Sequence, residues 1–165
     1  MATTKFGDFT AHTNGELPAV GSKLPAFMLT GNDMTEFSSE QFAGKKIILN
    51  IFPSIDTGVC SASVREFNQR ATTVTNVAVI CVSKDLPFAM KRFCGGEGVE
   101  HVTTATDFRD LGFAKNYGVL LTDSKFKDLF ARAVVVADEN GFVRYTELVP
   151  AIGQEPNYDA AFAAI

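Results

Sequence analysis

Residues 46–60 read Lys46-Ile47-Ile48-Leu49-Asn50-Ile51-Phe52-Pro53-Ser54-Ile55-Asp56-Thr57-Gly58-Val59-Cys60, and the reading of this stretch decides the fold. The run 46–52 has the length of a strand and little polar alternation, the pattern of a strand buried on both faces. Pro53 ends it. Thr57 suits the N-cap of a following helix, which puts Cys60 at N3, where a capping box usually has a carboxylate or amide. A sulfur there faces backbone N–H groups without intrahelical partners and the positive end of the helix dipole. Both favour the thiolate over the thiol, and the thiolate is the nucleophile. The alternative for a lone cysteine is a small apolar residue on a buried helix face. The threonine, the glycine and the helix start together point to chemistry instead.

Working outward, Cys60, Val64, Phe67 and Ala71 recur at offsets of four, three and four and put one apolar face on a helix over 59–71. Apolar runs at 77–83 and 133–137 read as further buried strands, and Glu139-Asn140-Gly141 turns the latter into 142–148. Pro87 at the start and Gly95-Gly96 at the end bracket a second helix containing Phe88, Met90 and Phe93. Weaker helical patterns cover 110–117 and 158–165. Phe6, Phe9 and Ala11 lead into Asn14-Gly15, a dipeptide suited to a type I′ hairpin turn. A second hairpin pairs 27–30 with 35–37 around Gly31-Asn32-Asp33. Strand, helix, strand, helix, then a hairpin and a last helix describe an α/β mixed central sheet flanked by helices. The order resembles the thioredoxin-like plan with an added N-terminal β-hairpin. No repeat, low-complexity tract or linker interrupts it, so a single domain over 1–165 is expected.

The chain has 165 residues, 46% hydrophobic and 21% charged, the mix of an ordinary globular protein rather than a disordered or fibrous one. Fifteen basic and nineteen acidic residues leave a net charge of −4 with no basic stripe, which argues against a nucleic-acid or anionic-membrane surface. No apolar stretch approaches the ~20 residues of a membrane helix. Residues 1–8 carry one lysine and no apolar core, a poor fit to a secretory signal, so a cytoplasmic protein with reduced thiols is expected. Three cysteines do not make a disulfide scaffold.

Cys94 lies 34 residues after Cys60, with Gly95, Gly96 and Gly98 beyond it. Local sequence leaves two readings open: a helix C-terminal residue beside a capping glycine, or a resolving thiol on a segment that loosens easily. Cys81, inside Val77-Ala78-Val79-Ile80-Cys81-Val82, reads as an inert strand residue. Arg132 precedes the apolar strand 133–137; it is a solvated edge charge unless that strand lies beside the one leading to Cys60, where its guanidinium would reach the thiolate. His12 and His101 share no metal-ligand spacing with the cysteines, so no metal site is expected, and no glycine-rich nucleotide motif is present.

Pro53, Thr57 and Cys60 match the P-x-x-x-T-x-x-C signature of the peroxiredoxins. The run 50–60, Arg92-Phe93-Cys94-Gly95 with Glu97-Gly98, Arg132-Ala133-Val134 and Glu155-Pro156-Asn157-Tyr158 are similar to the bacterial thiol peroxidase subfamily, the atypical two-cysteine peroxiredoxins. The resemblance spans the chain. It implies that Cys60 is the peroxidatic and Cys94 the resolving cysteine, forming an intrachain disulfide. It further implies that Thr57 and Arg132 bind the peroxide and hold the thiolate while Pro53 shields the sulfur. It implies reduction of hydrogen peroxide and alkyl hydroperoxides in antioxidant defence, thioredoxin as reductant, a homodimer, and no metal, haem or flavin cofactor. A thiol–disulfide oxidoreductase is disfavoured because Cys60-Ser61-Ala62-Ser63 lacks the second cysteine of C-x-x-C. A peroxide sensor would use the same sulfur chemistry without turnover.

Overall fold

The computed structural model describes residues 1–165. Nine strands and four helices follow one another along the chain. β1 (Thr3–Phe6) and β2 (Phe9–His12) form a separate hairpin. β3 (Met28–Gly31), β4 (Glu36–Ser38), β5 (Lys46–Ile51), β6 (Val77–Ser83), β7 (Thr103–Thr106), β8 (Ala133–Ala137) and β9 (Val143–Leu148) make one mixed sheet in the order β4-β3-β7-β6-β5-β8-β9. The helices are α1 (Gly58–Ala71), α2 (Pro87–Glu97), α3 (Phe113–Tyr117) and α4 (Tyr158–Ala163), and none is long and apolar enough to cross a membrane.

β5 is flanked by β6 in parallel and β8 in antiparallel register, so both its edges are paired inside the sheet. Its side chains alternate between two cores. Ile47, Leu49 and Ile51 join Ile80, Val82, Ala133 and Val135 on the face covered by α3. Ile48 and Phe52 join Val79, Cys81, Val134 and Val136 on the face covered by α1, α2 and α4. The period of two follows from the pleat, and burial on both faces explains the unbroken apolar run that the sequence shows. Each fully buried Leu, Ile, Val or Phe stabilises the fold by roughly 1.5–3 kcal/mol relative to exposure. α4 docks onto α1 through rings, with Phe162 stacked on Phe67 at 5.8 Å and Tyr158 edge-on to it at 5.2 Å.

Two expectations need correction. The N-terminal hairpin turns at Gly7-Asp8, where Gly7 supplies a φ of +57°, and not at Asn14-Gly15. Asn14 instead docks the chain onto the 114–120 segment: its side-chain amide donates to the Ala114 carbonyl at 3.1 Å and its oxygen accepts from the Leu120 N–H at 3.1 Å. α2 does not stop at Gly95-Gly96 but continues to Glu97, and Gly98 at φ +64° caps it by donating its N–H to the Cys94 carbonyl. Cys94 therefore lies within the last turn. β7 carries no apolar run; its Thr104 and Thr106 are buried in an inner strand, so hydrophobic patterning does not reveal it.

Candidate active site

Pro53 leaves the end of β5 and the chain turns at residues 54–57 into α1. Thr57 is the N-cap in extended conformation, and its Oγ1 accepts from the Cys60 N–H at 3.3 Å. Cys60 is thus N3, as the sequence predicts, and its side chain is fully buried. Pro53, seven residues earlier, is buried, while Thr57 is exposed.

Pairing of β8 with β5 brings Arg132 to the thiol. Arg132 is 1% exposed, and its Nη2 donates to the Cys60 sulfur at 3.2 Å while Nε donates to the Ile152 carbonyl at 2.9 Å. Nη1 is buried and has no hydrogen-bond partner. No carboxylate pairs with this guanidinium; the sulfur is the one side chain it bonds. A guanidinium keeps its proton at any physiological pH, and a buried cation without an anion is costly. The arrangement therefore suits negative charge on the sulfur and leaves one donor free for an oxygen bound next to it.

Cys94 is half-buried on α2, and its sulfur lies 3.3 Å from the Thr104 hydroxyl of β7. Cys94 thus meets β7, whereas Cys60 meets Arg132 just ahead of β8, and β6 and β5 lie between those two strands. A disulfide needs Cα atoms within about 7 Å, and all three cysteines are free thiols here. Two ion pairs fasten the cysteine-bearing segments in this arrangement. Arg92 Nη2 meets Asp56 at 2.8 Å, and Arg65 grips Glu97 with Nε at 2.9 Å and Nη2 at 3.1 Å. Arg65 also lies over the Phe93 ring, 5.5 Å from its centre.

Cys81 is buried on the same face, and desolvation pushes its thiol up to about 12, against a weak hydrogen bond from Asn50 Nδ2 at 3.6 Å that acts the other way. It is a neutral thiol in the fold. His12 sits 2.6 Å from Asp123 and takes no part in the site. Phe52 and Ile55 are buried core residues.

Sequence reasoning misses two polar residues, Ser63 and Asp85, that hold the turn and the start of α1. Ser63 donates to the Cys60 carbonyl at 2.7 Å and accepts from Asn50 Nδ2 at 3.2 Å, tying the first turn of α1 to β5. Asp85 lies two residues before Pro87, just outside α2. Its carboxylate accepts from Ser54 Oγ at 2.8 Å and the Ile55 N–H at 2.7 Å. The N-cap residue of α2 is Leu86, which makes no side-chain cap. Only the pairing of segments remote in sequence shows this use of the acid.

A mixed sheet of this order, with a cysteine turn at the end of its central strand, places the chain among the thioredoxin-like proteins. The profile of the redoxin family matches residues 19–162. The thiol peroxidase of Mycobacterium tuberculosis (strain ATCC 25618 / H37Rv) is 58% identical over 154 residues, covering 93% of this chain and 92% of that protein. The thiol peroxidase of Corynebacterium glutamicum is 52% identical over 165 residues, covering 100% of this chain and 99% of that protein. Among solved structures, a peroxiredoxin-like protein from Aquifex aeolicus superposes with a TM-score of 0.91 at 36% identity, over 97% of this chain and 93% of that one. The chain belongs to the redoxin family, and within it to the thiol peroxidases, which are oxidoreductases of peroxiredoxin type.

Proposed function

We propose that this enzyme reduces hydrogen peroxide and alkyl hydroperoxides in an atypical two-cysteine cycle centred on Cys60. The observation that carries the reading is the buried Arg132, which gives one donor to the Cys60 sulfur and keeps Nη1 unpartnered beside it. The thiolate attacks one peroxide oxygen, the O–O bond breaks, and the departing oxygen leaves as water or alcohol after taking a proton, with Cys60 left as a sulfenic acid. The Cys94 thiolate then attacks the Cys60 sulfur and displaces hydroxide, giving the disulfide. Thioredoxin, a dithiol, reduces it by exchange and restores both thiols.

An ordinary thiol is about 3% ionised at pH 7, so complete ionisation raises the nucleophile's concentration only ~30-fold. The larger part of the acceleration comes from donors that hold the O–O bond in line and stabilise charge on the leaving oxygen. Arg132 Nη1 is the donor that stands free for this; in this reading the Thr57 hydroxyl and the Cys60 N–H, which bond the Ser54 carbonyl and Thr57 Oγ1 without peroxide, turn to the peroxide when it binds. Pro53 keeps water from the sulfur.

The separation of the two thiols across the sheet supports a resolving step in which the first turn of α1 and the last turn of α2 unwind. The surface so opened is where the reductant docks. The enzyme acts as a homodimer, and Leu86 and Phe88, 56% and 67% exposed at the start of α2, supply apolar surface that such an assembly can cover. The enzyme works in the cytoplasm, where reduced thiols persist. The test is a denatured thiol count before and after one equivalent of peroxide, with the product mapped by mass. Three thiols falling to one, with Cys60 joined to Cys94, is the expected result. Three falling to two, with Cys94 still free, overturns the two-cysteine cycle.

A further inference from the structure

We propose that Asp85 is a positioning residue for the peroxide step: it holds the 54–57 turn so that Thr57 and Pro53 are presented correctly to Cys60. The proposal rests on the functional reading above. Asp85 pairs with no cation and caps no helix. Its Oδ1 accepts from Ser54 Oγ at 2.8 Å, and its Oδ2 accepts from the Ile55 N–H at 2.7 Å and from Ser83 Oγ at 2.5 Å. Ser83 closes the arrangement from the other side, accepting the Asp85 N–H at 3.0 Å. One carboxylate thus joins the end of β6 to the turn that precedes the nucleophile. Hydrogen bonds to an ionised acceptor are roughly twice as strong as neutral ones, which suits the acid to fixing a turn.

The bonds continue to the reacting centre. Ser54 Oγ also accepts the Asp56 N–H at 3.2 Å. The Ser54 carbonyl accepts both the Thr57 N–H at 3.2 Å and the Thr57 hydroxyl at 3.3 Å. Thr57 Oγ1 in turn accepts the Cys60 N–H at 3.3 Å. Asp85 therefore sets Ser54, Ser54 sets the rotamer of Thr57, and Thr57 sets the amide and first turn that carry Cys60. Arg132 is held by a different anchor, the Ile152 carbonyl. Removing Asp85 releases Thr57 and Pro53 but leaves the guanidinium against the sulfur, so alignment of the O–O bond is lost while the charge environment of the sulfur is kept.

That separation defines the experiment. Asp85→Ala, Asp85→Asn and Ser54→Ala are compared with the parent enzyme for three quantities. These are the second-order rate constant with hydrogen peroxide, the rate of Cys60 alkylation by iodoacetamide with the adduct mapped by mass, and the melting temperature. Misplacement of a reacting group by about 1 Å can lower a rate ~100-fold. Asp85→Ala is expected to lose roughly 30- to 100-fold in the peroxide rate and Ser54→Ala about 5- to 10-fold, with alkylation changed less than about threefold in each. A purely structural clasp would lower both rates together, through loss of folded protein. Proportional losses overturn the proposal, and so does a peroxide rate within about twofold of the parent. If Asp85→Ala does not fold, Asp85→Asn and Ser54→Ala decide by the same split. Cys60→Ser is measured beside them: turnover surviving there overturns the functional reading itself, whereas a parent-like peroxide rate in the Asp85 variants overturns only the role of Asp85.

Discussion

Arg132 and Cys81 show how burial gives opposite outcomes to two ionisable groups on one face of the sheet. Arg132 keeps its charge and faces a sulfur; Cys81 has only a weak contact from Asn50 and is held neutral. Arg132→Lys retains the charge but loses the fork that reaches Cys60 and the Ile152 carbonyl at once. The expected result is a fall of 100- to 1,000-fold in the peroxide rate constant, against a fall in iodoacetamide alkylation of Cys60 well under ~30-fold, the ceiling that ionisation allows. Equal losses would mean that the guanidinium acts on the sulfur alone. Cys81 gives a linkage prediction. Its pKa is about 12 in the fold and roughly 8.5 when unfolded, so the folded state holds the proton more tightly. That contribution to stability is fully present below about pH 8.5 and is lost as pH rises towards 12. By pH 10.5 the unfolded thiol is ionised and the loss amounts to roughly 2–3 kcal/mol. Denaturant melts of the parent and of Cys81→Ala at pH 7 and 10.5 check this; a parent that loses no more than the variant over that range contradicts it.

At the scale of the element, α1 and α2 differ in what their sequences reveal. The start of α1 is readable to the residue because its signals are local: Pro53 ends a strand, Thr57 caps, and the apolar spacing from Cys60 follows. The end of α2 is misread because Gly95 and Gly96 look like a stop, whereas in the fold Glu97 is gripped by Arg65 and the turn continues to Gly98. That grip is remote in sequence, as is the use of Asp85, and neither leaves a local trace. The Arg65–Glu97 contact also makes the last turn of α2 sensitive to acid. The hydrogen bond from Arg65 holds the Glu97 carboxyl below its ordinary value. Its stabilising effect is thus present above about pH 4.3, the unfolded value, and disappears as pH falls through the lower native value. Exchange protection of amides 94–99 in the reduced protein is expected to drop across that window while protection in β5 stays constant, and Glu97→Gln should show the reduced protection already at pH 7. A variant indistinguishable from the parent at pH 7 would mean that the ion pair does not hold the turn.

At the scale of the whole molecule, the two-faced sheet explains how one segment can open without the rest. The strand pattern and the two helices were readable in the sequence because burial on both faces leaves continuous apolar runs. The inner strand β7 was not, since threonines fill it, and the hairpin turn was displaced because two glycine-containing dipeptides competed for it. The consequence is functional. Cys60, Val64, Met90 and Val99 belong to the core on the α1–α2 face, while the opposite core behind β5 contains neither cysteine-bearing helix. In the proposed cycle, joining Cys60 to Cys94 strips helix ends from one face and leaves the other core intact. A crosslink of this loop size restrains the unfolded chain by about 4 kcal/mol in the entropy model, and a rigid native state would show that gain in full. Unwinding two helix ends removes native contacts and exposes surface before global unfolding begins, which offsets the gain and lowers the dependence of unfolding free energy on denaturant. The disulfide form is therefore expected to unfold with a smaller m-value than the dithiol form and with a stability gain well below 4 kcal/mol. Hydrogen exchange should rise within residues 58–64 and 90–98 and stay unchanged in β5 and β8. An oxidised protein more stable by the full ~4 kcal/mol, with an unchanged m-value, would mean that the thiols meet without local unfolding, and the separation across β6 would then need a rigid shift of α2 instead.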